Sequence, residues 1–146
     1  MRGRDALFSF ASVHWATPAE VLDALNAEFG PFTLDPCPLS DSPAVDGLAL
    51  DWTGHAVYCN PPYGRGVGEW LAKGRTARVA VFLLPARTDT RWWHEHAPHA
   101  SEIRFLKGRL KFGGAKAGAP FPSVVLVFTT MDTAGRESRQ SNEVGK

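Results

Sequence analysis

The chain lacks long apolar runs and has few cysteines. No stretch of its 146 residues is apolar enough for a transmembrane helix, and the first ten residues lack the features of a signal peptide, so we expect neither. Only Cys37 and Cys59 are present, which favours free thiols in a reducing cytosol over a disulfide framework. The composition, 44% hydrophobic with five tryptophans, is that of a globular protein with a sizeable core.

Basic residues are missing from the first part of the chain. Lysine and arginine do not occur from residue 5 to 64, where there are eight acids, whereas residues 65 to 116 have eleven bases and four acids. The net charges of these two stretches are therefore −8 and +7. The asymmetry predicts a polyanionic partner for the basic half and a neutral or cationic one for the acidic half. Solvated charged faces are the alternative.

The hydrophobic pattern predicts alternating strands and helices. The first helix is predicted to begin with Thr17 as N-cap, Pro18 at the first helical position and Glu20 in a capping box, and to end at Gly30-Pro31. The later predicted elements are strands at 32–35, 55–59, 78–86, 102–106 and 123–128, and helices near 67–71 and 88–97.

This order of elements predicts the fold class. Alternating strands and helices, with continuous apolar runs in some strands, indicate an α/β layered domain with helices on both faces of the sheet. We expect one domain over residues 1–130 and a polar, disordered tail over 131–146. Ligands collect at the carboxyl ends of strands in such sheets, and both Asp35 and Asn60 are predicted to lie at a strand end.

The stretch VYCNPPYG, from Val57 to Gly64, combines rigid backbone with polar and aromatic groups. Asn60 offers an amide oxygen as acceptor, while Pro61 and Pro62 lack N–H groups and hold their carbonyls rigid. Tyr63 adds a flat aromatic face. Two preorganised acceptors suit an aromatic amine, because they pull its nitrogen toward tetrahedral geometry and stabilise the positive charge that develops when it attacks an electrophile.

The tetrapeptide Asn-Pro-Pro-Tyr resembles the catalytic motif of S-adenosylmethionine-dependent methyltransferases that act on exocyclic or amide nitrogens. The wider chain resembles the small Dam-like DNA adenine-N6 methyltransferases of phages and bacteria. The segments that carry the resemblance, in order between residues 15 and 128, are WATP, FTLDPC, DGLALDW, YCNPPYG, LLPARTDTRWWHE, KGRLKF and PSVVLVF.

The resemblance implies a fold, a cofactor and a partner. The expected fold is a compact, reduced Rossmann-like methyltransferase sheet with helices on both faces. The expected catalytic residues are Asn60, Pro61, Pro62 and Tyr63. We expect S-adenosylmethionine as the cofactor, no metal, double-stranded DNA as the partner, no membrane association and a cytoplasmic location in a bacterial or phage-infected cell.

The resemblance also implies a cofactor site in the acidic half. The helix start at Thr17 and Pro18 is similar to one that helps bind the methionine carboxylate, where helix N-terminal amides attract an anion. A purely structural cap is the alternative. Asp35 is similar to the cofactor-binding aspartate that ends the first strand, with a turn aspartate before Pro36 as the alternative.

The adenine of the cofactor is expected against a later element. Asp46 and Leu48 resemble the residues that hold it, and Asp51 is the rival candidate. The segment DPCPLSDSP departs from the family pattern, because many methyltransferases carry a Gly-x-Gly loop there and this segment has no glycine. Only 25 residues separate Asp35 from Asn60, so we expect a reduced cofactor half.

The basic half is expected to bind the substrate. A flipped-out base needs a stacking partner besides Tyr63, and Phe112, in a glycine-rich loop, is the candidate that the resemblance suggests, with Phe121 as runner-up. Arg87 follows a strand end and is expected to contact the substrate. The candidates for phosphate contacts are Lys107, Arg109 and Lys111.

Other functions remain open from the sequence. The same tetrapeptide serves methylation of amino groups in RNA and of a glutamine amide in proteins. The missing glycine loop also fits a degenerate protein that only binds nucleic acid. A metal site is not predicted, because His94 and His96 are two residues apart on a predicted helix and do not share a face.

Overall fold

The computed structural model describes residues 16–38, 46–64, 66–112 and 118–130, and the predicted tail at 131–146 lies outside them. The helices are α1 (Ala19–Phe29), α2 (Val67–Gly74) and α3 (Arg91–His96), with short 3₁₀ helices at Gly47–Ala49 and Ala97–His99. The strands are β1 (Ala56–Cys59), β2 (Val79–Pro85), β3 (Glu102–Phe105) and β4 (Ser123–Thr129). Each of these four strands lies within one residue of its predicted bounds, whereas α2 ends three residues after its predicted end and α3 begins three residues after its predicted start.

The four strands form one mixed sheet in the order β1-β2-β4-β3. β1 and β2 are parallel, and Cys59 pairs with Phe82. β4 is antiparallel to both of its neighbours. The two parallel strands therefore end at one edge of the sheet, the carboxyl edge, and Asn60 follows β1 there.

The strand predicted at 32–35 is wrong in extent. The segment runs parallel to β1 on the side away from β2, but only the bridge between Leu34 and Val57 forms. Pro31 and Pro36 flank the segment and have no N–H to donate to a ladder, so pairing cannot extend in either direction. The segment nevertheless places Asp35 beside β1 at the carboxyl edge.

The core lies on both faces of the sheet. One face packs against α1, where Leu25 contacts the side of the sheet that carries Val81 and Val125. The other face packs against α2 and α3, through residues such as Leu71 and Trp93. Because successive side chains of a strand point to opposite faces, the apolar runs of β2 and β4 supply both layers.

The predicted start of α1 is also wrong. Pro18, not Thr17, is the N-cap residue, with ψ 137° and no side-chain cap. Its carbonyl accepts hydrogen bonds from the Val21 and Leu22 N–H groups at 3.1 Å. The predicted capping box with Glu20 is absent, because the Thr17 hydroxyl turns inward to Tyr58. Sequence rules for caps do not anticipate such a competing partner.

Candidate active site

The Asn-Pro-Pro-Tyr segment lies at the carboxyl edge. Asn60 is 7% exposed, Pro61 is buried, and Pro62 and Tyr63 are half-buried. Tyr63 packs against the hydrophobic core on both faces of the sheet, so its ring contacts both layers of the core at the carboxyl edge. The segment is therefore held in a fixed place relative to both layers of the fold.

Hydrogen bonds engage both ends of the Asn60 amide. The Tyr63 hydroxyl donates to Asn60 Oδ1 at 2.6 Å, and Asn60 Nδ2 donates to Thr17 Oγ1 at 3.3 Å. Thr17 Oγ1 in turn lies 2.5 Å from the hydroxyl of Tyr58. Thr17 thus joins the predicted catalytic residues, as a partner of Asn60.

The two tyrosines of this network are neutral. Burial raises the pKa of Tyr58 and of Tyr63 above the ordinary value of a phenol. At neutral pH both therefore act as hydroxyl groups that donate or accept hydrogen bonds. Neither is poised to take a proton as a general base.

Asp35 and Asp46 lie in two turns that contact each other. Asp35 Oδ1 accepts the Cys37 N–H at 3.1 Å, and Asp46 Oδ1 accepts the Leu48 N–H at 3.1 Å as the cap of a 3₁₀ helix. A Cβ on Gly47 would lie 1.9 Å from the Pro36 carbonyl oxygen, so these turns pack backbone to backbone. Two predicted cofactor residues are thus neighbours.

Asp51, the rival candidate to Asp46, lies away from the two turns that hold Asp35 and Asp46. Its carboxylate accepts the Thr53 N–H at 3.0 Å, which together with the charges of Lys73 and His55 lowers its pKa. His55 precedes β1, and five residues of strand span roughly 17 Å, so Asp51 is at the opposite end of β1 from Asn60. The structure favours Asp46 as the neighbour of Asp35.

Partial burial changes the ionisation of two groups in the first of these turns, Asp35 and Cys37. Partial loss of hydration raises the pKa of the Asp35 carboxyl, against the lowering effect of the Cys37 N–H. The same burial, together with the nearby carboxylate, raises the pKa of the Cys37 thiol to about 12. Both cysteines are free thiols, and Cys37 is not a competing nucleophile at neutral pH.

A cleft of about 1050 Å³ opens on the other side of Tyr63, between α2 and α3. The helices contribute Gly68, Glu69, Ala72, Arg91, Trp92, Glu95 and His96 to its wall, and the carboxyl edge contributes Tyr63, Gly64, Pro85, Arg87, Thr90 and Phe121. We call this space the α2–α3 cleft. We call the end of this cleft at the carboxyl edge, which Tyr63 and Phe121 line, its mouth. The cleft is large enough for a planar ligand.

The aromatic mouth is built from Tyr63 and Phe121. Their ring centroids are 5.5 Å apart at 85°, and the Arg87 guanidinium carbon lies 5.5 Å from the centroid of the Phe121 ring. Arg87 therefore lies near Tyr63, and its contact with the substrate stays a prediction. Phe121 lies two residues before β4, where β4 begins opposite Pro85.

Phe112 differs from its prediction as an accessible stacking residue. The ring is 3% exposed and packs in the core beside Phe121, with the centroids 6.1 Å apart. Phe121 is as buried, at 4% exposed, but it lines the α2–α3 cleft, whereas Phe112 packs behind it. The sequence neighbours of Phe112 gave no sign of its burial.

The three predicted phosphate contacts are exposed. Arg109 also donates from Nη1 to the Ala119 carbonyl at 3.1 Å, which ties its segment to the residues before Phe121. Arg104, by contrast, is paired with Glu28 and Glu102. The positive charge of the second half is therefore partly neutralised at β3 and remains accessible at Lys107, Arg109 and Lys111.

The site also contains residues that were not predicted, among them Tyr58 and His96. Tyr58 supplies a hydroxyl to the Asn60 network, and its position two residues before Asn60 was the available signal, because side chains at i and i+2 share a face of a strand. His96 is 8% exposed and lines the cleft. Burial lowers its pKa, and its Nδ1 has no hydrogen-bond partner among the described residues.

The fold and the site together define a class: a mixed α/β protein that holds a rigid asparagine amide at the carboxyl edge of its sheet. Comparison with known proteins is more specific. The chain matches the DNA N-6-adenine-methyltransferase (Dam) family over residues 11–133. It belongs to this family.

A curated relative agrees with the family. The DNA N-6-adenine-methyltransferase of Escherichia phage T1 is 27% identical over 108 residues, which are 66% of this chain and 45% of the relative. The chain thus spans about half the length of the relative that it matches. No solved structure gives a significant match.

Among the described residues, no group of three or more His, Cys, Asp or Glu side chains could hold a metal ion. No helix in the described part of the chain is long and apolar enough to cross a membrane.

Proposed function

We propose that this protein transfers a methyl group from S-adenosylmethionine to N6 of adenine in DNA. The observation that carries the proposal is the position of Asn60 between two different sets of groups. The segment with Asp35 lies on one side of β1, and β2 lies on the other. Asn60 follows β1 between them. Its amide bonds Thr17, and Tyr63 of the same segment lines the α2–α3 cleft.

The acidic side fits the cofactor. Asp35 and Asp46 lie in contacting turns, and the raised pKa of Asp35 means that a cationic neighbour would be favourable. We assign the cofactor to the group of Pro18, Asp35, Asp46 and Leu48, whereas the hydroxyl of Thr17, which precedes this group, is bonded to Asn60. When bound there, S-adenosylmethionine supplies an electrophilic methyl group. The sheet and this arrangement also support a reduced Rossmann-like methyltransferase fold.

Asn60 activates the acceptor nitrogen in this proposal. Its Oδ1 and the Pro61 carbonyl accept the two N–H groups of adenine N6, which releases the nitrogen lone pair from conjugation. Asn60 Oδ1 already accepts from Tyr63, and since an amide oxygen has two lone pairs, the amino group can bind beside the hydroxyl or replace it. The proton leaves after the transfer, when N6 is a strong acid, so no general base is required.

The flipped base is proposed to enter at the mouth of the α2–α3 cleft. The half-buried Tyr63 provides aromatic surface there, and the Phe121 ring packs against it at 85°. Aromatic stacking contributes about 1–3 kcal/mol per base. Arg87 lies over Phe121 and can contact the base or its phosphate. Lys107, Arg109 and Lys111 would contact the backbone of double-stranded DNA. The expected location is the cytoplasm, where this DNA is found.

Transfer of tritium from labelled S-adenosylmethionine to unmethylated duplex DNA tests the proposal. We expect incorporation by the wild type, with N6-methyladenine as the product. Asn60→Ala should lose about 10²–10³-fold in rate, as for removal of one preorganised group that stabilises a transition state. Absence of transfer by the wild type, or full transfer by Asn60→Ala, would refute the proposed reaction.

The alternatives are outcomes of the same assay. Structured RNA and a glutamine-containing peptide, offered in competition with duplex DNA, report whether another acceptor is preferred. Calorimetry with S-adenosylmethionine and S-adenosylhomocysteine tests the alternative that the protein is degenerate and only binds nucleic acid. Binding of either compound excludes a protein that binds nucleic acid alone.

A further inference from the structure

We infer that Thr17 and Tyr58 are positioning residues that orient the amide of Asn60. The inference rests on the proposed methyl transfer, in which Asn60 Oδ1 must face the acceptor nitrogen. Thr17 Oγ1 lies 3.3 Å from Asn60 Nδ2 and 2.5 Å from the Tyr58 hydroxyl. Both residues act through Asn60 rather than on the reacting atoms.

The orientation of this amide decides whether the site works. An asparagine amide has an acceptor end and a donor end of nearly equal size. If the amide turned by 180°, its NH₂ group would face the amino group of adenine, and two donors cannot hydrogen-bond to each other. Neither hydroxyl that meets the amide selects an orientation alone, because a hydroxyl group both donates and accepts. The two bonds together hold the plane of the amide, with Oδ1 at Tyr63 and Nδ2 at Thr17.

Thr17 anchors the nitrogen end of the amide. Nδ2 is only a donor, so Thr17 Oγ1 is the acceptor of this bond. The Thr17 hydroxyl can then donate a hydrogen bond to the Tyr58 hydroxyl. The result is a hydrogen-bonded chain that runs from Asn60 through Thr17 to Tyr58. Because Asn60 and Tyr58 are both buried, a broken bond in this chain is not readily replaced by water.

The fold holds each member of the chain in place. Tyr58 is in β1 and its ring packs against Phe32, with centroids 5.6 Å apart. Thr17 immediately precedes the N-cap of α1 and makes no cap of its own. The hydroxyl that sequence rules assign to the helix is therefore used by the site.

Steady-state kinetics on Thr17 variants test this role. Thr17→Val removes the hydroxyl and keeps the shape, and we expect kcat to fall about 10-fold with little change in KM for DNA. Thr17→Ser should restore most of the loss, and Tyr58→Phe should show a smaller one. Thr76→Val is the matched control, because that hydroxyl bonds the Lys73 carbonyl at the end of α2.

A double-mutant cycle separates positioning from cofactor binding. If Thr17 acts through Asn60, Thr17→Val causes no further loss in the Asn60→Ala background, as measured by single-turnover tritium transfer. Equal losses in both backgrounds, with a raised KM for S-adenosylmethionine, would overturn the inference in favour of direct cofactor contact.

An NMR experiment gives a readout that does not depend on activity. We expect the Nδ2 protons of Asn60 to exchange slowly with solvent in the wild type and faster in Thr17→Val, with no change in Thr76→Val. Equal exchange in wild type and Thr17→Val would overturn the positioning role, even in an active enzyme. Slow exchange without methyl transfer to DNA would instead refute the proposed function alone.

Discussion

At the residue scale, the candidate site depends on uncharged polar groups and aromatic rings. Asn60 bonds two hydroxyl groups, and burial keeps the Tyr58 and Tyr63 phenols protonated. Such a site stabilises developing charge with fixed dipoles rather than with a base. Its activity should therefore depend on geometry more than on pH near neutrality.

Two phenylalanines with similar burial allow a matched test of base stacking. Phe121 lines the α2–α3 cleft, whereas Phe112 packs behind it. Substitution of either by leucine should cost about 1 kcal/mol in the free energy of unfolding, because volume is nearly conserved. Only Phe121→Leu should also raise KM for DNA, by about 5–50-fold from lost stacking.

Denaturant unfolding and steady-state kinetics check this pair. An unchanged KM in Phe121→Leu together with a raised KM in Phe112→Leu would restore Phe112 as the stacking residue. A raised KM in both variants would point to a general loosening of the aromatic cluster.

At the element scale, the proposed cofactor side is built on two turns, and its sequence has no Gly-x-Gly loop. The turn with Asp35 and the 3₁₀ helix with Asp46 meet at Gly47, and the Trp52 indole donates to the Gly47 carbonyl at 2.9 Å. The close approach of Gly47 to Pro36 leaves no room for a side chain. The lack of a side chain at Gly47 therefore lets the two turns pack directly against each other.

Gly47→Ala should consequently be damaging. Its Cβ would meet backbone, 1.9 Å from the Pro36 carbonyl oxygen, and the required shift should cost about 1–3 kcal/mol of stability. Separating the turns should also weaken S-adenosylmethionine binding. Thermal unfolding and calorimetry measure the two effects.

Gly66→Ala provides the control for this substitution. Gly66 has φ −78°, and the nearest atom to an added Cβ is the end of the Glu69 side chain at 4.0 Å. We expect near-wild-type stability and cofactor affinity from this variant. If Gly47→Ala also leaves stability and cofactor affinity unchanged, the two turns do not pack backbone to backbone.

At the scale of the whole molecule, positive charge is distributed unevenly. Arg104 of β3 forms an ion pair with Glu28 of α1 and another with Glu102 of its own strand. Its guanidinium also lies 5.0 Å from the Phe29 ring centroid. Lys107, Arg109 and Lys111 follow in sequence and are exposed. The surface around them is the one expected to meet DNA.

The salt dependence of DNA binding tests this surface. The double variant Lys107→Gln with Lys111→Gln should lower the slope of log K against log salt by about 0.9 for each lost phosphate contact, and weaken binding similarly on all sequences. Fluorescence anisotropy over a salt series measures the slope. Lys73→Gln, in the last turn of α2 and near Asp51, should leave it unchanged.

Much of the fold follows from local sequence. Apolar runs identify β2 and β4, because strands buried on both faces must be apolar throughout. The helices follow from periodicity and from their stop signals. The predicted strand at 32–35 failed, since flanking prolines limit its hydrogen bonds, and the N-cap at Thr17 failed because a tertiary partner competes for its hydroxyl.

The site was predictable where its residues are adjacent in the chain. The sequence by itself determined the Asn-Pro-Pro-Tyr segment, its place after a strand and the separation of acidic and basic halves. These are properties of covalent neighbours, and local rules describe them well.

Only the tertiary structure decided which distant residues meet Asn60. Thr17 is 43 residues away and Phe121 approaches the same edge from another strand. It also decided that Phe112 is buried, that Asp46 rather than Asp51 neighbours Asp35, and that Tyr58 supports the amide. Such contacts depend on sheet order and on competition for hydrogen bonds in the packed interior, and no local pattern encodes either.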